Sequence, residues 1–332
     1  MGIGNKMKTK ILRVLRNSDD YISGQSICDE LGVSRTAVWK YMNQLKEDGY
    51  GIEATQNKGY HITNYPDVLT EVELGSLFKN DFFGNTIYFY NEIDSTNNEA
   101  KKKAEDGATQ GTLVITECQN SGRGRRGKKW ISPSGSGIWM SFILRPIIHP
   151  NGASMITLVA ALSVVNAMKN IKGLECNIKW PNDIVVNGKK VCGILTEMSS
   201  ELDAVNYVII GIGINVNMTE FDEEIKDIAS SVYLETGLTI KRSQVVADFA
   251  KCFEKYYSIF MQTEDMSGLV DEYNELLVNV GREVKINNIN SQFIGNAIGI
   301  NERGELLVNK QDGVVEKIVA GEVSVRGLYG YV

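Results

Sequence analysis

The sequence predicts an α+β protein built from more than one domain. Its 332 residues exceed the roughly 100 to 200 residues of a single domain, and the hydrophobic pattern changes twice along the chain. Helical spacing comes first, then apolar strands alternate with helices, and after residue 278 only short strands and turns remain. These changes predict domains at residues 1–65, 66–278 and 279–332.

Composition places the chain in the soluble globular class. Hydrophobic residues make up 43% and charged residues 23% of the chain, close to the globular average. The sequence has no apolar run of 18 residues and no apolar segment in MGIGNKMKTK, so we expect a cytoplasmic protein without a membrane partner. Five widely spaced cysteines and two histidines favour neither a disulfide framework nor a zinc site, and no metal ligands are predicted.

The sequence of the first domain predicts three helices, with one tight turn between the second and the third. KTKILRVLR at 8–16 has helical apolar spacing, Ser23 can cap a second helix, and Gly32 makes a turn before Ser34, which can cap a third. The order is typical of a helix-turn-helix in which residues 34–46 form the recognition helix.

A short hairpin follows the three helices. GIEATQ and GYHIT flank Asn57-Lys58-Gly59, which is the pattern of a wing. Residues 1–65 hold nine Lys and Arg against seven Asp and Glu, whereas the remainder is acidic. We therefore predict DNA binding, with a helical hairpin for dimerisation as the alternative. The outward residues predicted to contact DNA are Ser34, Arg35, Thr36, Trp39, Lys40 and Asn43.

The middle of the chain predicts a mixed sheet with helices on it. TIYFY, TLVITEC and YVIIGIGINVN read as strands, and residues 154–170 as an apolar helix. Asn187-Gly188 between two β-rich runs predicts a hairpin, and two further helices are expected near 243–261 and 267–278. Turns at Asn287-Asn288, 302–304 and Asp312-Gly313 then predict a small β-barrel.

A glycine-rich basic loop is the strongest chemical signal. Gly122 to Gly127 fits the dinucleotide pattern G-x-G-x-x-G, but Pro133 and the following small residues argue against the helix that such a turn must open. No carboxylate lies between Glu117 and Glu175, whereas the first half of this stretch, as far as Arg145, holds six cations. Close backbone approach at glycine and arginine forks suit a carboxylate or phosphate, and a solvated basic loop is the alternative.

Two further segments carry polar groups at predicted element ends. Lys179-Trp180-Pro181-Asn182-Asp183 opens the hairpin that carries Lys190, so a carboxylate and a cation are expected together near a sheet end. Asp183 could orient a nucleophile or help to position Mg²⁺, or could simply cap the turn. Thr96-x-x-Glu99 fits a capping box at the start of a helix whose N–H groups could also face a ligand.

Taken together, these segments resemble the biotin protein ligases, specifically the bifunctional type that is also a biotin operon repressor. The resemblance covers nearly the whole chain and rests on G-R-G-R-x-G-x-x-W at 122–130, K-W-P-N-D at 179–183 and G-I-G-I-N at 211–215. It implies a winged helix, a mixed α/β ligase domain and a C-terminal SH3-like barrel. It also implies that biotin and MgATP form biotinyl-5′-AMP, which then passes biotin to a lysine.

The resemblance also assigns residues and partners. Catalytic roles fall on Lys190, Asp183 and Arg125. Biotin contacts fall on Ser95, Thr96, Asn97, Gln119, Arg123, Gly124, Arg125 and Lys190. Contacts to ATP or the adenylate fall on Gly122, Arg126, Trp130, Asn182 and Asn215. The implied partners are the biotin carboxyl carrier protein of acetyl-CoA carboxylase, other biotin-dependent carboxylases, operator DNA and a second copy of the chain.

One departure concerns the adenosine side of the site. The family often supplies a tryptophan after G-I-N, but residues 218–234 contain none, so Phe221 or Tyr233 would have to stack on adenine. Two alternatives stay open at this point: a lipoate-ligase-like enzyme, and a ligand-sensing transcription factor without ligase activity.

Overall fold

A computed structural model describes residues 3–78, 82–287, 292–319, 324–327 and 331–332. Within these ranges the chain forms a small helical domain with a two-stranded wing, a seven-stranded mixed sheet with helices, and a five-stranded antiparallel sheet. The predicted fold class is confirmed.

The N-terminal domain follows the capping signals in the sequence. Its elements are α1 (Ile3–Arg16), α2 (Gly24–Leu31), α3 (Arg35–Glu47), β1 (Gly51–Thr55) and β2 (Gly59–Asn64). Ser23 and Ser34 accept hydrogen bonds from the backbone N–H groups of Ser26 and Ala37, and Gly32 ends α2 at φ 65°. Helix α1 begins five residues before the predicted start, and it packs on α4 (Glu71–Leu77), where Asn5 donates to the Glu71 carboxylate.

The central sheet has the strand order β3-β4-β5-β9-β8-β7-β6, and only β3 and β4 run parallel. The strands are β3 (Ile87–Ile93), β4 (Leu113–Gln119), β5 (Gly137–Leu144), β6 (Asn177–Lys179), β7 (Asp183–Val186), β8 (Lys189–Ser200) and β9 (Val205–Asn215). The predicted hairpin joins β7 to β8, and Asn187 and Gly188 both have positive φ as such a turn requires. The side chains at the ends of these strands form the candidate site.

Helices cover both faces of this sheet. They are α5 (Thr96–Glu105), α6 (Met155–Met168), α7 (Val232–Thr236), α8 (Arg242–Thr263) and α9 (Val270–Leu276). The run Pro150–Met168 is long and apolar enough to cross a membrane, but 72% of it is buried inside the fold. Because α6 packs on α8 and β8, we describe it as a core helix.

The predicted capping box at α5 is wrong. Ser95, not Thr96, is the N-cap residue, and its side chain makes no capping hydrogen bond. Glu99 turns away from the helix start to accept a hydrogen bond from the Tyr90 hydroxyl at 3.0 Å and to pair with Lys103 at 3.2 Å. The start of α5 therefore keeps polar groups that the helix itself does not use.

The C-terminal sheet packs directly on the central domain. Its strands are β10 (Glu283–Asn287), β11 (Gln292–Ile300), β12 (Leu306–Lys310), β13 (Val315–Ile318) and β14 (Ser324–Gly327), in the order β13-β12-β11-β10-β14. The Trp180 indole N–H donates to the carbonyl of Gly304 at 3.1 Å, and the two domains share one hydrophobic core. The predicted turns at 302–304 and 312–313 are present, whereas Asn288 lies outside the described residues.

Candidate active site

The glycine-rich basic loop folds back on itself beside the end of β4. The Gly124 N–H donates to the Lys128 carbonyl at 2.7 Å, and the Trp130 N–H donates to the Gly122 carbonyl at 2.9 Å. A Cβ at Gly122 would lie 2.3 Å from the Trp130 carbonyl oxygen, so only glycine fits there. The loop is thus a closed turn that does not lead into an α-helix, in agreement with the rejection of a dinucleotide-binding turn.

Trp130 lies against two glycines of the sheet. A Cβ at Gly213 would be 2.5 Å from the Trp130 Nε1 atom, and one at Gly193 would be 3.0 Å from the Trp130 ring. The Trp130 Nε1–H is buried and has no hydrogen-bond partner among the described residues. A buried donor without a partner costs about 1 to 3 kcal/mol, and an acceptor brought by a ligand would remove that cost.

The three predicted catalytic residues come together at the start of the β7–β8 hairpin. Lys190 Nζ pairs with Asp183 Oδ1 at 2.5 Å, and Lys190 also lies 5.0 Å from the centre of the Trp130 ring. Arg125 donates to the Asn182 side-chain oxygen at 2.8 Å, and Asn182 in turn donates to the Ile194 carbonyl. The loop and the hairpin therefore form one polar cluster.

The electrostatics of this cluster favour an anion. Burial lowers the pKa of the Arg125 guanidinium, although the Asp183 carboxylate opposes that shift. Arg125 and Lys190 bring two cations to a cluster in which Asp183 supplies the carboxylate partner. A carboxylate or phosphate bound between the two cations would gain charge-assisted hydrogen bonds.

The predicted biotin-contact residues at the start of α5 form a second polar cluster. The Thr96 N–H and hydroxyl both donate to the Gln119 side-chain oxygen, at 2.9 and 3.1 Å. Gln119 donates to the Ser132 hydroxyl at 2.9 Å, and Ser95 is buried beside them. This cluster offers hydroxyl and amide groups that can both donate and accept.

Asn97 is held by the sheet. Its amide donates to Glu197 at 2.7 Å and to the Leu195 carbonyl at 3.2 Å, and its oxygen accepts from the Ser141 hydroxyl. Lys101 completes the cluster with Glu197 at 2.5 Å. Burial alone would raise the pKa of Glu197, but the hydrogen bonds from Lys101 and Asn97 lower it.

Two other predicted site residues, Arg123 and Arg126, lie at the rim of the site. Arg123 is exposed and donates to the side chain of Asn98, and Arg126 is exposed on the outer side of the loop with φ 56°.

The predicted site residue Asn215 is buried at the end of β9 and donates to the Ser230 carbonyl at 3.0 Å. Residues 228–230 also pair with Lys190 through its backbone, so they connect Asn215 to the central cluster.

The two aromatic candidates for adenine lie after β9. Phe221 and Tyr233 are both half-buried, and Tyr233 belongs to the short helix α7. A cavity of about 340 Å³ opens nearer to the cluster, with Arg125 and Asn182 among its lining residues. A larger cavity of about 550 Å³ lies on the C-terminal sheet and contains none of the predicted site residues.

Sequence reasoning missed several polar side chains of the site. Ser141 donates to Thr96 at 2.8 Å, and it could have been noticed as the one polar side chain in the buried strand GIWMSFIL. Ser132 and Glu197 carry no comparable signal because their partners are distant in the chain. The contacts of Tyr331 with Asp183 and Lys179 were also missed.

The predicted DNA-contacting residues lie on the outer face of α3. Ser34, Arg35, Thr36 and Lys40 are exposed, and the Trp39 side chain is 61% exposed. Arg35 donates to the Gln25 side chain of α2 at 2.9 Å. Asn43 is half-buried, one turn further along the helix.

Comparison with known families matches three parts of the chain. Residues 8–61 match an HTH domain, 89–215 match the biotin/lipoate A/B protein ligase family, and 280–326 match the biotin protein ligase C terminal domain.

Individual relatives extend over most of the chain. The bifunctional ligase/repressor BirA of Bacillus spizizenii is 41% identical over 306 residues, covering 92% of this chain and 94% of that protein. BirA of Escherichia coli is 28% identical over 97% of this chain and 98% of that protein. The solved biotin protein ligase of Aquifex aeolicus in complex with biotin and ATP aligns with TM-score 0.64 and 32% identity, covering 73% of this chain and 99% of that one.

Proposed function

The chain belongs to the family of bifunctional biotin ligases and repressors, and we propose that the cluster around Lys190 performs its chemistry. It is a biotin–[acetyl-CoA-carboxylase] ligase that uses biotin, ATP and Mg²⁺, and it is a repressor that acts at operator DNA. Ligation makes a biotin carrier protein its protein substrate. The observation that carries the assignment of roles is the meeting of Lys190, Asp183 and Arg125 in one cluster.

In the first step the biotin carboxylate attacks the α-phosphorus of ATP. A carboxyl oxygen–phosphorus bond forms, and the bond to the pyrophosphate oxygen breaks. Lys190 and Arg125 would hold the two anions together and neutralise the charge that develops on the phosphate. The unpartnered Trp130 N–H would donate to an oxygen of the bound adenylate.

The described residues fit Mg²⁺ bound mainly through ATP. No group of three or more His, Cys, Asp or Glu side chains lies together in the described part of the chain. Mg²⁺ commonly keeps several waters and binds one or two carboxylates together with substrate phosphates. Asp183 would be that carboxylate, with Asn215 near the nucleotide, and Mg²⁺ would neutralise phosphate charge when bound.

The cluster at the start of α5 would bind the ring system of biotin. A urea group presents one carbonyl acceptor and two N–H donors, and Ser95, Thr96 and Gln119 offer the complementary hydroxyl and amide groups. Asn97, which is already bonded to Glu197 and Ser141, would connect this cluster to the sheet and keep it in position.

In the second step an acceptor lysine attacks the biotinyl carbon and AMP leaves. The loop at 122–130 would cover the adenylate, with Gly122 and Gly124 allowing close backbone approach and Arg123 and Arg126 at its outer edge. Such a cover keeps a reactive anhydride from water and from other amines. Phe221 or Tyr233 remains the candidate to stack on adenine.

Repression would require a symmetric dimer. Strand β8 pairs with β9 as far as Ser200, but its pairing with β7 ends near Ile194. Beyond that point β8 has one strand neighbour in the described ranges, and Met198 on it is 48% exposed. An open edge of this kind can pair with its copy about a two-fold axis. Two copies of α3 would then face successive half-sites of the operator.

The remaining proposals concern location and domain limits. We propose that the protein acts in the cytoplasm without a membrane partner, since the one long apolar helix found among the described residues is largely buried inside the fold. The domain limits proposed from the sequence, at residues 65 and 278, fall in connections between elements.

A matched pair of lysine variants tests the proposed chemistry. Lys190→Ala should lower biotin-dependent pyrophosphate exchange about 10²- to 10³-fold because transition-state charge loses its partner. Lys189→Ala removes the neighbouring lysine of the same hairpin, whose ammonium group bonds the Lys226 carbonyl outside the cluster, and should retain exchange. The transfer of biotin to a carrier domain, measured by mass spectrometry, should likewise be lowered in Lys190→Ala and retained in Lys189→Ala. Wild-type exchange in Lys190→Ala would remove this lysine from the mechanism.

A further inference from the structure

Tyr331 of the C-terminal region lies inside the catalytic cluster. Its hydroxyl donates to Asp183 Oδ2 at 2.5 Å, and Lys179 Nζ lies 3.3 Å from the centre of its ring. No motif found in the sequence includes this residue, and the match to the biotin protein ligase C terminal domain ends at residue 326. Tyr331 thus connects the C-terminal region to the two ends of the segment 179–183.

The two oxygens of Asp183 have different partners. Oδ1 pairs with Lys190 at 2.5 Å, and Oδ2 accepts from Tyr331. The terminal torsion of an aspartate is broad and roughly two-fold, so one ion pair alone would leave the carboxylate free to exchange its oxygens. The ion pair on Oδ1 and the hydrogen bond on Oδ2 together hold the carboxylate plane and with it the position of the lysine.

The Tyr331 side chain has a second contact besides the hydrogen bond of its hydroxyl to Asp183. The Lys179 ammonium over the ring adds a cation–π contact that fixes the side chain from its other side.

The surrounding fold holds this arrangement in place. The Trp180 backbone N–H donates to the Asn279 side chain at 2.9 Å, and the Trp180 indole donates to Gly304. Trp180 therefore attaches the segment 179–183 both to Asn279, which precedes the C-terminal sheet, and to Gly304, which lies between two of its strands. Tyr331 makes the corresponding attachment at both ends of the segment.

We propose that Tyr331 is a positioning residue for adenylate formation, which orients the Asp183 carboxylate and, through it, the Lys190 ammonium group. The inference rests on the roles proposed above for Asp183 and Lys190. Removing an outer hydrogen bond that orients a functional group typically costs about 10- to 100-fold in activity or affinity. A loss in kcat within that range is expected when the hydroxyl is removed. The biotin Kd should change by a smaller factor, because the predicted biotin contacts at the start of α5 are not touched.

The test uses Tyr331→Phe in the full chain, which deletes the hydroxyl and keeps the ring over Lys179. Tyr21→Phe is the matched control, since the Tyr21 hydroxyl also donates to a carboxylate, Glu53, but in the N-terminal domain. Pyrophosphate exchange gives kcat, and calorimetric titration gives the biotin Kd. We expect a lower kcat only in Tyr331→Phe, by a larger factor than any change in the biotin Kd, and melting temperatures above the assay temperature for both variants.

A double-mutant cycle separates positioning from a merely structural role. In an Asp183→Asn background, Tyr331→Phe should lower the residual exchange much less than it does in the wild type, because the oriented group is gone. Equal losses in both backgrounds, or an unchanged or raised kcat in Tyr331→Phe alone, would overturn the inference. If Asp183→Asn itself keeps the wild-type rate, the proposed role of Asp183 fails instead.

Discussion

Replacing Glu73 with glutamine should loosen the N-terminal domain from the catalytic domain. Glu73 lies on α4 between the two and is only 1% exposed. Its carboxylate accepts hydrogen bonds from Arg16 of α1 at 2.9 Å, from the Tyr50 hydroxyl at 2.8 Å and from Ser243 of α8 at 3.0 Å. One buried group therefore joins both sides of the domain connection.

The magnitude follows from which of these bonds glutamine can keep. Tyr50 donates to Oε2 and Ser243 to Oε1 of Glu73, so the one amide oxygen of glutamine can accept from only one of the two hydroxyls. The charge-assisted contact with Arg16 is also lost, and a hydrogen bond to a charged group contributes about 1.5 to 3 kcal/mol. Arg16 keeps 20% of its side chain in solvent, so water compensates its loss in part and we expect the total loss to stay within that range.

Native-state hydrogen exchange measures this loss locally. A loss of about 1.5 to 3 kcal/mol corresponds to roughly 10- to 150-fold faster exchange of the buried α1 amides. Glu71→Gln on the same helix is the control, because Glu71 is partly exposed and accepts one long bond from Asn5 at 3.4 Å. In Glu71→Gln we expect the exchange rate of the α1 amides to change by about twofold or less. Unchanged exchange of α1 in Glu73→Gln would refute this account of the domain connection.

Three further substitutions probe the catalytic domain. Arg242→Met should lower the free energy of unfolding by about 3 to 5 kcal/mol, because it leaves two carboxylates without their buried guanidinium partner; a loss below about 1 kcal/mol in urea unfolding would contradict this. Hydrogen bonds from Lys101 and Asn97 lower the pKa of Glu197 below its ordinary 4.5 despite burial. The stability advantage of wild type over Glu197→Gln should therefore be full above pH 4.5 and shrink as the pH falls through the folded pKa; an advantage that grows on acidification, in unfolding curves from about pH 3 to about pH 7, a range that includes the ordinary carboxylate pKa of about 4, would show the opposite linkage. Arg125→Gly should open the loop and release adenylate that biotinylates albumin, and an active variant that leaves albumin unlabelled on a blot would count against the cover.

Local signals in the sequence predicted local structure well. The caps at Ser23 and Ser34, the positive φ of Gly32 and the hairpin turn at Asn187 all depend on residues within one turn of each other. The capping box at Thr96 failed because the side chain of that residue bonds instead to Gln119, on the neighbouring strand. A pattern of four residues does not reveal such a competitor.

The polar clusters of the site could be predicted only where a motif marked them. Lys190 and Asp183 were expected together because one hairpin carries both. Ser141, Glu73 and Tyr331 bind partners 45, 170 and 148 residues away, respectively Thr96, Ser243 and Asp183, and no periodicity records such pairs. These contacts depend on strand register and domain packing, which follow from the whole fold.

The most direct test of the central claim is to measure operator binding by the full chain during ligation. Biotin and MgATP are held constant while a biotin carboxyl carrier domain is added. We propose that bound biotinyl-5′-AMP favours the dimer that binds DNA, and transfer to the acceptor lysine consumes that same adenylate. A carrier domain whose acceptor lysine is replaced by arginine is the control and should leave DNA occupancy unchanged. We predict that occupancy falls as the active carrier is titrated. Occupancy that stays flat while the carrier becomes biotinylated would contradict the claim that ligation and repression share one adenylate.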